Sequence, residues 1–310
     1  MALNQQGLQT ITFASSLFSS GAKTLLLTQG ELSVKKNITI TGPGQNLLTI
    51  DANQQSRVFD ISGLGTHNII ISGMTITNGN VSGSGSDAYG GAVRVSASTY
   101  SVTLDSVTIK NSSASLGGGI YVADTTSTSA SSASLFTLIN STLSNNEASG
   151  GGGAGMYIHC ANATIQNSIF SGNTALNSGG GIAMTGGRVV NISETTFSNN
   201  TASSGKGGAA SLTSDYNNGV LTITSCSFTG NHATEGGGIH ISADAYNRSD
   251  SVTLINITSS GNTTTTSSKG TTIAKAQGVS MTIKKTSTGQ TKIWDASIVK
   301  YLEDGQNWFA

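Results

Sequence analysis

The sequence predicts an all-β chain: a single-stranded, right-handed parallel β-helix of roughly 8–10 rungs with a cap at each end. Three observations carry the prediction. An apolar or aromatic residue stands three places before an Asn at Leu143/Asn146, Phe170/Asn173, Phe197/Asn200 and Phe228/Asn231, and Asn262 continues the series after Ser259. These Asn anchors are 27, 27, 31 and 31 residues apart, a repeat long enough for two or three short strands and a turn between each. Between the repeats lie glycine-rich stretches such as "GGGIY" at 117–121, "GGGIA" at 179–183 and "GGGIH" at 236–240. The segments between glycines and anchors alternate apolar and polar, the period of a strand with one buried face.

Stacking the repeats turns that alternation into columns. One inward column reads Ile71, Leu104, Leu138, Ile165, Ile192, Ile223 and Leu254. The residue after the glycines gives Val93, Ile120, Met156, Ile182, Ala210 and Ile239. Like residues stacked from copy to copy suit the interior of a solenoid, where each rung touches only its neighbours. The two-residue step fails between Ile223 and Cys226, so a bend or bulge is expected there. Glycine is expected at corners that need positive φ or a close backbone approach. Asn146, Asn173, Asn200, Asn231 and Asn262 are expected to form a structural turn ladder. Asn tolerates left-handed backbone, bonds nearby main chain and stacks on its own kind. Phe fills the space just inside the turn. The earlier copies are degenerate, with Ile76 before Gly79 and Ile109 before Ser112.

Residues 1–24 read as an N-terminal cap and 25–270 as the β-helix. Residues 271–310 read as the final rung or rungs with a C-terminal cap or a junction to a further domain. Caps are expected because an open end presents unpaired backbone for edge association. Ile298, Val299 and Leu302 fit one face of a short amphipathic helix near Trp294, Trp308 and Phe309. The start, "MALNQQGLQTITFASS", lacks a basic stretch followed by a long apolar one, the pattern of a secretory signal. Either an excised piece of a larger protein or export without an N-terminal signal is therefore expected.

Lys and Arg number 15, and so do Asp and Glu. That balance argues against a nucleic-acid partner, which asks for a basic footprint. No apolar run reaches the length of a membrane-spanning helix. Cys160 and Cys226 show no CxxC spacing, no metal or cofactor is expected, and two rungs of separation predict two free thiols.

The paired "GGGI" and "FxxN" elements resemble the repeats of chlamydial polymorphic outer membrane proteins. "ITITGPGQNLLTIDANQQSRVFDIS", followed by repeats of the form "NSxFSGNxAxxGGGI", is similar to bacterial surface β-helix proteins at large. The resemblance covers residues 25–270. It implies a secreted or displayed, adhesin-like chain.

Function is read on that basis as an extracellular or cell-surface structural, adhesin-like β-helix without catalysis. Expected partners are host or environmental glycans or proteins, or further copies associating end to end. The alternative is a polysaccharide-binding or polysaccharide-cleaving β-helix, since pectate-lyase-like solenoids share the architecture. Cleavage needs converging carboxylates, whereas Asp105, Glu147, Glu194, Glu235 and Asp244 fall in different columns or turns. The outward column Arg94, Tyr121, Tyr157, Ala183, Ser211, His240 offers ligand-binding candidates in Arg94, Tyr121, Tyr157 and His240. A weaker alternative is binding of a flat, ice-like surface through Thr columns. One is Thr103, Thr137, Thr164, Asn191, Thr222, Thr253; the other is Thr75, Thr108, Thr142, Ile169, Thr196, Ser227, Thr258.

Overall fold

Short alternating runs rich in Thr, Val and Ile favour brief strands, and residues that accept positive φ between them favour sharp corners. The computed structural model describes residues 9–124, 134–186, 189–214, 220–243, 251–265, 273–275, 280–287 and 290–295. One coil shows the plan. Met156–His159 forms a first face, Asn162–Gln166 a second and Ile169–Ser171 a third. Thr174–Ala175 is a short corner strand, and residues 176–181 return the chain to Ile182. Each strand pairs in parallel with its counterpart one coil away.

The second face stacks ten segments, from Gln9–Thr12 through Ile38–Thr41 to Ser280–Ser287. The corner column, begun by the Asn80–Ser113 bridge, has seven levels and ends at Thr263–Thr264. The molecule thus has roughly seven complete turns with less regular coils beyond them. The predicted inward columns pair in the register read from the sequence: Ile165 faces Ile192 and Ile192 faces Ile223, while Met156 faces Ile182. Leu138, Ile165, Ile182 and Ile223 are fully buried. Phe170, Phe197 and Phe228 stack down the axis with ring centroids 5.0 Å apart.

Beside that aromatic stack runs a continuous amide ladder. Asn173 donates from its backbone N and from Nδ2 to Asn200 Oδ1, at 3.1 and 2.9 Å. The second Nδ2 proton goes back one coil, to the Leu143 carbonyl at 2.9 Å. Asn146, Asn200 and Asn231 repeat the pattern, and Asn262 donates to the Phe228 carbonyl. Each side chain therefore ties three coils together and leaves no buried amide proton to the apolar core. At the degenerate end Ser112 takes the same place: its Oγ accepts from Gly79 N, and its own N donates to Asn146 Oδ1.

The ladder asparagines do not supply the left-handed backbone. That role falls to the residue before each of them: Asn145 (φ 53°), Gly172 (63°), Asn199 (54°), Gly230 (65°) and Gly261 (60°). A side chain turned inward to bond the next coil is incompatible with being the corner residue, so the two tasks go to neighbours. The bend foreseen between Ile223 and Cys226 sits at Ser225 (φ 54°), in line with Asn140, Asn167, Glu194 and Asn256. Gly179 has φ 69°, and a Cβ there would lie 2.2 Å from the Ile182 carbonyl oxygen.

The ends differ from the expected boundaries. Gln9–Thr12 and Lys23–Leu26 already stack on Ile38–Thr41 and Leu48–Asp51, so the coil begins within the stretch read as a cap. Phe13 and Phe18, beside the one-turn helix Ser15–Phe18, pack on the core from that end. At the other end Gln290–Asp295 folds back antiparallel on Ser280–Ser287. Ile298, Val299 and Leu302, and the helix expected of them, lie outside the described residues.

Candidate functional site

Strand alternation places Asp60, Arg94, Tyr121, Tyr157, Ala183, Ser211 and His240 in one register column of the first face. An open ligand-binding ridge was expected there. Instead Tyr121 is 8% exposed and His240 3% exposed. The cause is the segment returning from the corner, whose residues Tyr89, Leu116, Lys206 and Glu235 run alongside the column. Tyr89 sets its ring 4.9 Å from Tyr121, and Tyr157 stacks on Tyr121 at 5.7 Å with planes 9° apart. Tyr121 is thus packed between two rings, and burial, then Tyr157 and Tyr89, push its hydroxyl well above the usual range. Tyr157 shares a 2.9 Å hydrogen bond with Thr185 Oγ1.

Arg94 is equally committed. It donates to Asp60 Oδ1 at 2.7 Å and to the Ser86 carbonyl at 2.8 Å. Burial would raise the Asp60 carboxyl, but hydrogen bonds from Arg94 and Ser62 outweigh it and hold that group below its ordinary value. Arg57 bonds Glu31 and the carbonyls of Asp87, Tyr89 and Gly90. Together the two guanidinium groups pin the 86–90 segment to the coil. His240 Nε2 lies 3.8 Å from Glu235 Oε1, too far for a hydrogen bond. Burial, with Lys206 adding to it, holds the imidazole neutral and lowers its pKa to about 4 despite Glu235. The column knits coil to coil through stacked rings and ion pairs.

The other candidates lie apart. Asp105 Oδ1 accepts from Asn140 Nδ2 at 3.0 Å, and Asn140 Oδ1 accepts from Asn167 at 2.8 Å, along the second corner. Glu194 receives Gln166, and Glu235 pairs with Lys206 at 3.1 Å. Glu147 is exposed on the corner strand; Asp244 lies outside the described residues. Among the described residues no group of three His, Cys, Asp or Glu could hold a metal. Cys160 and Cys226 are both buried thiols outside any disulfide. Cys226 lies over the Thr224 carbonyl at 3.3 Å, and burial pushes its thiol up to about 11. Cys160 Sγ lies 3.4 Å from His159 Nε2.

What sequence reading missed is on the third face. The two Thr columns lie on different faces, so each has to be judged with its own neighbour. Flanking the inward Phe stack, outward residues pair as Thr142/Ser144, Ile169/Ser171, Thr196/Ser198, Ser227/Thr229 and Thr258/Ser260, in register over five coils. Nine of these ten carry a hydroxyl and none a charge. The signal was present as "TLS", "IFS", "TFS", "SFT" and "TSS", read only as single columns. Toward the N terminus the array is closed by Gln45, which receives the Thr75 and Thr108 hydroxyls on its main-chain and side-chain oxygens.

Residues 91–288 match the family model described as right handed beta helix region. No curated protein and no solved structure matches the chain significantly.

Proposed function

The chain belongs to the right-handed β-helix family, and from that premise we propose that it works as a non-catalytic, adhesin-like structural module outside the cell. The observation that carries the reading is the axial amide ladder from Asn146 to Asn262. With the Phe stack beside it, the ladder puts the interior's polar chemistry into joining coil to coil. Such a rod is stiffened by hydrogen bonds and ring stacking along its axis and leaves its outward faces for contact. The resemblance of the "GGGI" and "FxxN" repeats to chlamydial polymorphic outer membrane proteins supports the same assignment to the cell surface.

The test has two arms. Antibodies against the purified chain should label intact, unpermeabilised source cells. Incubation of the chain with neutral or acidic polysaccharides should release neither reducing ends nor unsaturated products. Labelling only after permeabilisation, or steady product release, would refute the reading.

A further inference from the structure

We propose that Cys160 is a reactive thiol, a modification site that forms a mixed disulfide with small disulfides, with His159 as its base and Thr185 as the residue that positions the base. The inference is independent of the surface reading and concerns the corner that follows the first face. Met156–His159 ends there, and Cys160 turns the chain at φ 52°. Cys160 donates its backbone N–H to the Thr185 carbonyl, and one coil later Gly186 donates to Thr213 in the same way. Gly186 has φ 62°, a backbone that glycine adopts without strain. The corner itself therefore calls for no side chain at this position. What the turn does is set Cys160 Sγ 3.4 Å from His159 Nε2.

The ring is oriented from its other side. His159 Nδ1 lies 3.1 Å from Thr185 Oγ1, which also bonds the Tyr157 hydroxyl at 2.9 Å. A hydroxyl oxygen is a better acceptor than a thiol sulfur, so the imidazole proton belongs on Nδ1, toward Thr185. That tautomer leaves the Nε2 lone pair facing the S–H. Thiol, base and orienting group in this order are the parts of an activated nucleophile. Cys226 shows what the arrangement adds. Its Sγ lies 3.3 Å from the Thr224 carbonyl and 3.7 Å from that of Ile192, groups that hold the proton but cannot take it. Cys226 is part of the apolar core cluster; Cys160, 7% exposed, is not. His159 beside it is half-buried, so a small reagent meets the pair at the rim of the corner.

The reaction needs no further co-reactant. The thiol proton moves to His159 Nε2, and the thiolate attacks one sulfur of R–S–S–R. The old S–S bond breaks as the new one forms, and the leaving RS⁻ takes the proton from the imidazolium and departs as RSH. Cys160 is oxidised and one half of the small disulfide is reduced.

The experiment treats the native 310-residue chain with 2-hydroxyethyl disulfide at pH 7 and follows the adduct on each cysteine by peptide mass spectrometry. Cys160 should react about tenfold or more faster than Cys226. His159→Gln should slow Cys160 about tenfold, since an unassisted thiol is only a few per cent ionised at pH 7. Thr185→Val should slow it too, and Thr185→Ser, which keeps the hydroxyl, should restore the rate. Cys226→Ala should leave Cys160 unchanged, and circular dichroism checks that each variant folds. Cys160 reacting no faster than Cys226, or undiminished in folded His159→Gln, would overturn the proposal. Where His159→Gln does not fold, equal rates in Thr185→Val and Thr185→Ser would overturn it instead.

Discussion

Asn200→Ala is the perturbation that weighs the ladder most clearly. Asn200 is fully buried. Its Oδ1 receives two protons from Asn173, and its Nδ2 serves the Phe170 carbonyl at 2.9 Å and Asn231 Oδ1 at 3.0 Å. Truncation strands the Asn173 backbone N–H and one amide proton in the core, while Asn231 Oδ1 keeps the Asn200 backbone donor. An orphaned buried donor costs roughly 1–3 kcal/mol, so the two together give about 4 kcal/mol. Asn200→Asp is the sharper variant. It keeps the shape but turns an oxygen toward the Phe170 carbonyl and Asn231 Oδ1, both acceptors, and should cost at least as much as Ala. Asn200→Ser should be milder, because Ser112 shows that a hydroxyl there can receive the preceding coil's N–H. The assay is urea unfolding followed by far-UV circular dichroism, comparing midpoints at equal slope. A loss below about 1 kcal/mol for Ala, or an Asp variant more stable than Ala, would refute the reasoning.

Three further outcomes follow from the same structure. His240 is held neutral down to about pH 4 against an ordinary value of 6.5; the unfolded chain binds its proton first, so stability should fall by about 3 kcal/mol as pH drops from 6.5 to 4. Denaturation midpoints across that window check it, and His240→Gln should flatten the slope. Cys226, with its thiol pushed up to about 11, should resist alkylation at pH 8 in the folded protein, and both cysteines should label in denaturant; a native-state adduct on Cys226 would contradict its burial. Gly179→Ala adds a Cβ 2.2 Å from a backbone oxygen at φ 69°, so it should lower stability by about 2 kcal/mol or more, whereas Ser178→Ala beside it should be near neutral.

The fold was legible in the sequence wherever identity repeats at the same depth. Ile165, Ile192 and Ile223 could be put in one column because a buried aliphatic position tolerates little else. The anchors Asn173 and Asn200 were legible for the same reason, as a buried amide must meet its partners. The division of labour at the corner was not. Asn199 and Asn200 are chemically identical, and only the backbone reveals that the first turns the chain and the second bonds the next coil. The ridge was misjudged because a strand's alternation tells which side of the sheet a residue takes, not what the chain later lays over it. Tyr121 and His240 point away from the axis and are still covered, by segments brought in through the glycine corners. The hydroxyl array escaped because the Thr75 column was read alone, whereas its neighbours on the same face stand two places along, at Ser144 or Ser198.

The central claim is that Phe, Asn and Gly recur to join coils, not to form a reactive centre. Native-state hydrogen exchange of the Asn146, Asn173, Asn200 and Asn231 amides tests it most directly, for each backbone N–H donates to the next Asn Oδ1. These backbone protons and their side-chain NH2 partners should exchange only with global unfolding, among the slowest in the molecule. Exchange as fast as that of an unprotected, solvent-exposed amide would contradict the ladder, and with it the account of why this sequence repeats as it does.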